Sequence, residues 1–160
     1  MRNNFAKALA VGLAAVAVIV VGAVLFLQRG AQVALPGEIK VRTIATGDAD
    51  ALTLVDLHVT NPSDYPFVVH NASVTLETKD GVASRNLVSR SDSQSLFAAK
   101  PETGPYHPPL YTDVSIPART TTDYTAVAQF SLPERMLKER THFVLRVERR
   151  DGKSFEFVEK

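Results

Sequence analysis

The stretch Ala51-Leu52-Thr53-Leu54-Val55-Asp56-Leu57-His58-Val59-Thr60-Asn61-Pro62 decides the fold. Val55, Leu57 and Val59 fall on one side of an extended chain, and Asp56, His58 and Thr60 on the other. A period of two belongs to a strand with one buried and one solvated face. Asn61-Pro62-Ser63-Asp64-Tyr65-Pro66 then stops it. Neither proline can donate to a ladder, and Asn and Asp close local turns through their own side chains.

The same period recurs downstream. Phe67–Lys79 sets Ala72, Val74 and Leu76 against Ser73, Thr75 and Glu77, and Val82–Arg90 reads as its return strand. Asp80-Gly81 between them supplies the positive φ angles of a type I′ hairpin turn. Leu110–Ile116 alternates through Val114 and Ile116. Thr120–Phe130 puts Tyr124, Ala126, Ala128 and Phe130 on one side. Thr141–Arg149 turns Phe143, Leu145 and Val147 inward, and Asp151-Gly152 makes a second hairpin turn into Phe155 and Phe157. Ser131-Leu132-Pro133-Glu134 has the form of a capping box with Pro in the first turn, which predicts a short helix to about Arg140. Ser91–Pro109 reads as a long loop, ending in the polyproline-like run Tyr106-His107-Pro108-Pro109.

Upstream, Ile39, Val41 and Thr43 alternate with Lys40, Arg42 and Ile44 in a first strand, preceded by a tether over residues 29–38. The pattern before the tether is different in kind. Ala8–Gln28 is a run of 21 residues without a charge. About 20 helical residues cover the roughly 30 Å hydrocarbon core of a bilayer, so this run is expected to be a transmembrane helix. A cleaved signal peptide is disfavoured, because Arg29 and Gln32 stand two positions before Ala31 and Ala34 and spoil the small-x-small cleavage pattern. Arg2 and Lys7, close to the start of the run with no acid beside them, orient residues 1–7 to the cytoplasm. The reading is an uncleaved single-pass signal anchor in the cell membrane, with residues 39–160 outside the cytoplasm (periplasmic in a two-membrane envelope).

About eight short strands at 8–12-residue spacing, without βαβ units, predict an all-β fold: an Ig/fibronectin-III-like antiparallel β-sandwich with one short helix, preceded by a single N-terminal transmembrane helix. Cys and Trp are absent, so the disulfide-and-tryptophan core of antibody domains is excluded, as are thiol catalysis and thiolate metal sites. Val59-Thr60-Asn61-Pro62, leading to Val74-Thr75-Leu76, resembles the opening of late embryogenesis abundant type-2 domains, also called water-stress and hypersensitive-response domains. Ile116-Pro117-Ala118 resembles their later I-P-A segment. The resemblance spans about residues 39–160 and extends to membrane-anchored bacterial envelope proteins. It implies an Ig-like sandwich without catalytic residues.

The residues themselves point the same way. Arg2, Lys7 and Arg29 supply the positive balance, and the rest of the chain carries all 17 Asp and Glu with no basic stripe. A nucleic-acid footprint is therefore missing. No nucleophile elbow or phosphate-binding glycine loop is present. Paired Asp48 and Asp50 lie in a turn. His58, His70, His107 and His142 show no metal-ligand spacing, and no carboxylate is placed by sequence to orient any of them. No catalytic residue, metal or cofactor is expected. The candidate partner-contact patch is Tyr106, His107, Pro108, Pro109 and Tyr111, in the long loop. Arg146, Arg149 and Arg150 form a small basic cluster, and Asn71-Ala72-Ser73 is a formal glycosylation sequon. The expected partners are the lipid bilayer through residues 8–28 and a protein of the envelope. The alternative function is carriage of a lipid or other apolar ligand between the sheets.

Overall fold

The computed structural model describes residues 16–23 and 34–160. The chain divides into two units, Met1–Ala34 and Leu35–Lys160. In the first, residues 16–23 are helical, and Val16, Val18, Ile19, Val20 and Val21 are all more than half exposed. The remainder of the expected span 8–28 lies outside the described residues. Among those described, no helix is long and apolar enough to cross a membrane.

The second unit is a sandwich of eight strands: β1 Gly37–Ala45, β2 Ala51–Asn61, β3 Phe67–Thr78, β4 Gly81–Asn86, β5 Ser115–Ile116, β6 Thr120–Phe130, β7 His142–Arg149 and β8 Ser154–Val158. One sheet runs β1-β2-β6. The other runs β4-β3-β7-β8, with β5 paired to the start of β3. All strand pairs are antiparallel. Alternation places Val55, Leu57 and Val59 of β2, Val74 and Leu76 of β3, and Leu145 and Val147 of β7 in the shared core. Phe67, Phe130 and Phe143 fill the space between the sheets, each 1% exposed or less. At about 25 cal/mol per Å² of apolar surface removed from water, such burial is the main stabilising term.

The start of β1 shows how tightly the layers meet. Gly37 lies opposite Val59, and a Cβ added there would stand 2.6 Å from the His58 carbonyl oxygen and 2.8 Å from the Phe157 ring. Only a residue without a side chain fits. The end of β2 is fixed by Asn61, which is fully buried. Its Nδ2 donates to the carbonyls of Tyr65 (2.9 Å) and Ile116 (3.1 Å), and its Oδ1 accepts from the Ser63 amide (3.1 Å). The Asn-Pro pair is therefore more than a strand stop: Asn61 organises its own turn and ties down β5.

Several expectations are corrected. Ser91–Pro109 is a loop only from Gly104 onward. Arg90–Ala99 forms helix α1, capped by Ser89 accepting from the Asp92 amide, and a 3₁₀ turn follows at Pro101–Thr103. Within the helix Ser91, Ser93 and Ser95 weaken the helical signal, since serine competes for backbone hydrogen bonds. The domain thus holds two α-helices rather than one. The expected helix, α2, spans Glu134–Lys138, but its N-cap is Pro133 without a side-chain bond, so the Ser131 capping box does not form. The strand expected over Leu110–Ile116 shrinks to β5, because Tyr111–Val114 makes a turn closed by the Val114 amide on the Tyr111 carbonyl. The first hairpin turn is centred on Lys79-Asp80, with Thr78 opposite Gly81. Neither central residue has positive φ, so it is not type I′. At the second hairpin the Gly152 amide donates to Arg149 and Gly152 takes φ +82°, a three-residue loop ending in a left-handed glycine.

The largest correction concerns β2 itself. Its outward side is not wet throughout. Leu52 and Leu54 join Val127 of β6 in a second apolar cluster, covered by Val88, Leu96, Phe97 and Tyr106. Asp56, His58 and Thr60, further along the same side, conform to expectation.

Candidate functional site

Three features could carry function: the strap Lys100–Tyr111 that holds the expected contact patch, the outward charged ladder of the three-stranded sheet, and the cavities at the sandwich edges.

The strap lies along the edge of β6. Thr125 donates its amide to the Pro108 carbonyl (3.0 Å), and its own carbonyl accepts from the Leu110 amide (3.0 Å), a parallel bridge centred on Pro109. The His107 amide donates to Thr125 Oγ1 (3.0 Å). Leu110 then plunges into the core. Tyr106 stacks on Phe97 of α1 at 4.1 Å and 14°, and its hydroxyl donates to the Lys100 carbonyl (2.6 Å). Arg42 lies 5.6 Å from the Tyr106 ring. This arginine is a bidentate partner of Asp56, at 2.8 and 2.7 Å, and also reaches the carbonyls of Thr103 and Pro105. Asp56 in turn accepts from Thr125 Oγ1 (2.9 Å). Tyr106, His107 and Pro109 are half-buried, while Pro108 remains exposed. The expected patch is thus divided: Tyr106 and Pro109 serve packing, whereas Tyr111 sits apart, under the Arg90 guanidinium at 5.3 Å.

Beyond this polar layer the ladder opens to solvent. His58 lies in register with Asp123, and its Nδ1 meets the carboxylate at 2.6 Å. A carboxylate does orient one histidine. The sequence hides it, because the register between strands more than 60 residues apart is set by the tertiary fold. His70 stands at a bulge in β3, between Val69 and Asn71. His58 and His70 belong to different sheets and do not converge. Among the described residues no three His, Asp or Glu side chains group as metal ligands would.

Titration is perturbed at few places, all structural. Asp151 is held well below the usual carboxylate range, chiefly by its hydrogen bonds from the Arg149 guanidinium, which is itself raised by the same bonds. Burial pushes the Tyr124 phenol up. The basic cluster is accordingly one exposed ion pair, Arg149–Asp151, beside Arg146 and Arg150.

Among the described residues, two cavities reach the size of a small-molecule site. One, of about 350 Å³, is lined by His70, Asp113, Arg149, Arg150, Asp151 and the apolar Val68. Asp113 adopts φ +71° there, its amide donating to the Val69 carbonyl at 2.7 Å. The other, of about 360 Å³, opens where the chain leaves β4 for the opposite sheet. The Leu87 amide still donates to Ala72 of the five-stranded sheet, and the next amide, of Val88, donates to Val127 of the other. Tyr111, Arg90, Asn71 and Asn86 stand around this gap.

No protein-family model and no curated protein matches the chain. Among solved structures the chain is similar to Northeast Structural Genomics Consortium target SoR45, determined by X-ray crystallography, at 12% identity and a TM-score of 0.42, covering 79% of this chain and 82% of that one.

Proposed function

We propose that the protein is anchored in the cell membrane by residues 8–28 and presents its β-sandwich outside the cytoplasm as a binding module of the envelope, without chemistry of its own. One observation carries the anchoring: 21 uncharged residues in succession, with valine and isoleucine on every side of the described helical stretch 16–23. A helix apolar all round has no face suited to water and is stable where its whole surroundings are apolar.

The non-catalytic reading is supported by how the polar side chains are spent. Asp56 is committed to Arg42 and Thr125, the His58–Asp123 pair is half-exposed, and the hydroxyls next along that side, of Thr60 and Thr121, bond to each other at 2.8 Å. General acid–base work is strongest in a site that excludes water, and this pair stands open to it. The resemblance to water-stress and hypersensitive-response domains supports the same reading.

Carbonate and high-salt washing tests the anchor: the protein is expected to stay with membranes, and release into the wash rejects the span. A reporter enzyme fused after Lys160 is expected to be active only outside the cytoplasm. Activity confined to the cytoplasm reverses the topology.

A further inference from the structure

We propose that the cavity between the end of β4 and Tyr111 binds an acidic sugar unit, a polyhydroxylated ring bearing one carboxylate. The chain crosses there from one sheet to the other, and the crossing leaves a concavity of about 360 Å³. Its floor is apolar, made by Ala72, Leu87 and Val88. Its rim is polar. A small-molecule site has this form, an apolar lining with a few convergent polar groups, and the volume lies at the lower end of the usual range, suited to a single ring.

Charge selects the ligand's sign. No carboxylate lines this cavity, and Arg90 does. Three other cavities among the described residues each carry acids: Asp113 and Asp151 in one, Asp80 in another, Glu38, Asp56 and Asp123 in a third. Among the described residues Arg90 forms no ion pair; its guanidinium carbon stands 5.3 Å over the Tyr111 ring, and its N–H groups have no hydrogen-bond partner there, which leaves them open to a carboxylate.

Hydrogen-bonding capacity selects the ligand's type. The side chains of Asn71 and Asn86 are exposed and bond to nothing within the described residues. Each offers two donors and one acceptor. Sulfate or a simple carboxylate only accepts and would leave both amide oxygens to water, and phosphate brings one or two hydroxyls where a sugar ring brings several. A sugar hydroxyl donates and accepts, so it satisfies both halves of a carboxamide. The hydroxyls of Thr112 and Tyr111 add two more groups of the same dual kind. The Ser89 hydroxyl is engaged with Asp92 and takes no part.

This gives the binding role proposed above a ligand class. The cavity is read directly in the test, so loss of the anchor would leave it standing, and its failure would leave the anchor standing.

The full chain, in detergent and labelled with ¹⁵N, is titrated with glucuronate, glucose, acetate and phosphate. Glucuronate is expected to shift the amide signals of Asn71, Asn86, Ser89 and Arg90, and glucose to do so about tenfold more weakly, the worth of one charge-assisted pair. Arg90→Gln is expected to bring glucuronate down to the level of glucose. Asn86→Ala is expected to weaken both. Both residues are exposed, so an unchanged melting curve is the control. A uronate oligomer run in parallel separates a polymer unit from a free sugar, and tighter binding of either form meets the proposal. Shifts produced equally by acetate or phosphate, or no shift with glucuronate, overturn it.

Discussion

The two sheets of the sandwich share one core but treat their outer sides differently. The five-stranded sheet leaves Ser73, Thr75, Arg146 and Glu156 facing solvent. The three-stranded sheet is wet only beyond Asp56; its other half, around Leu52, Leu54 and Val127, lies beneath α1 and the strap. The difference is written in composition. In the uncovered sheet, polar residues hold every second position of β3 from Asn71 to Glu77. In β2 the polar set starts at Asp56, and the five residues before it are buried on both sides. A strand without alternation requires a cover on its second face, and helix α1 with its strap is that cover.

Leu54→Asp and Thr75→Asp put this contrast to its strongest test, since both residues point outward. Leu54→Asp places an unpaired charge beneath the cover, costs several kcal/mol and is expected to abolish folding of Leu35–Lys160. Thr75→Asp is expected to cost less than about 1 kcal/mol, the scale of ordinary surface changes. Circular dichroism with urea melts reads both, and equal melts would erase the distinction between the faces.

Phe97→Ala acts on the cover rather than on the covered strand. It removes the ring stacked on Tyr106 and is expected to cost about 2 kcal/mol, below the 3–5 of a fully buried aromatic, because Phe97 is only half-buried. Binding of a hydrophobic dye should rise as Leu52 and Leu54 gain access to water. A stable variant that stays dye-silent would mean that the strap covers the face without help from the helix.

Ser93→Ala sharpens the picture in the opposite direction. Ser93 is fully buried on α1, and its hydroxyl meets no hydrogen-bond partner. Deleting a buried unpaired hydroxyl is expected to leave stability unchanged or raise it by up to about 1 kcal/mol. A loss on urea titration would show that the hydroxyl is bonded in solution.

The smallest effect belongs to the uncovered sheet, at the hairpin carrying Arg149 and Asp151. The folded carboxylate titrates below its unfolded value. Its small contribution is therefore present above the ordinary carboxylate range and fades as pH falls through that range towards the folded value. Asp151→Asn should flatten this part of the stability–pH curve below about pH 4 and leave neutral-pH stability nearly unchanged, since the pair is exposed. An Asn variant with the wild-type acid profile would place the pH dependence elsewhere.

The strands were legible because alternation is local: Thr120–Phe130 carries its period in its own residues. Helix α1 was not. Its three serines suppress the helical signal, and its cover function depends on Leu52 and Leu54, some 40 residues earlier. The same holds for function. Tyr111 stands out by composition, but the amides that share its cavity, Asn71 and Asn86, read as ordinary polar positions of a strand and its return. Asp123 opposite His58, and Arg42 opposite the outward row of β2, follow from register alone. Registers join residues that the sequence keeps far apart, and no spacing rule exposes them.

The bridge at Pro109 bears on how many such domains can share a crowded surface. β6 would otherwise offer its open amides and carbonyls here to any neighbouring chain. The segment that occupies this row cannot hand it on. Pro108 and Pro109 have no N–H to offer outward, and the next amide, of Leu110, is already spent on Thr125. Sheet growth is therefore blocked chemically at Thr125, and two such domains cannot zip into a common sheet through this point.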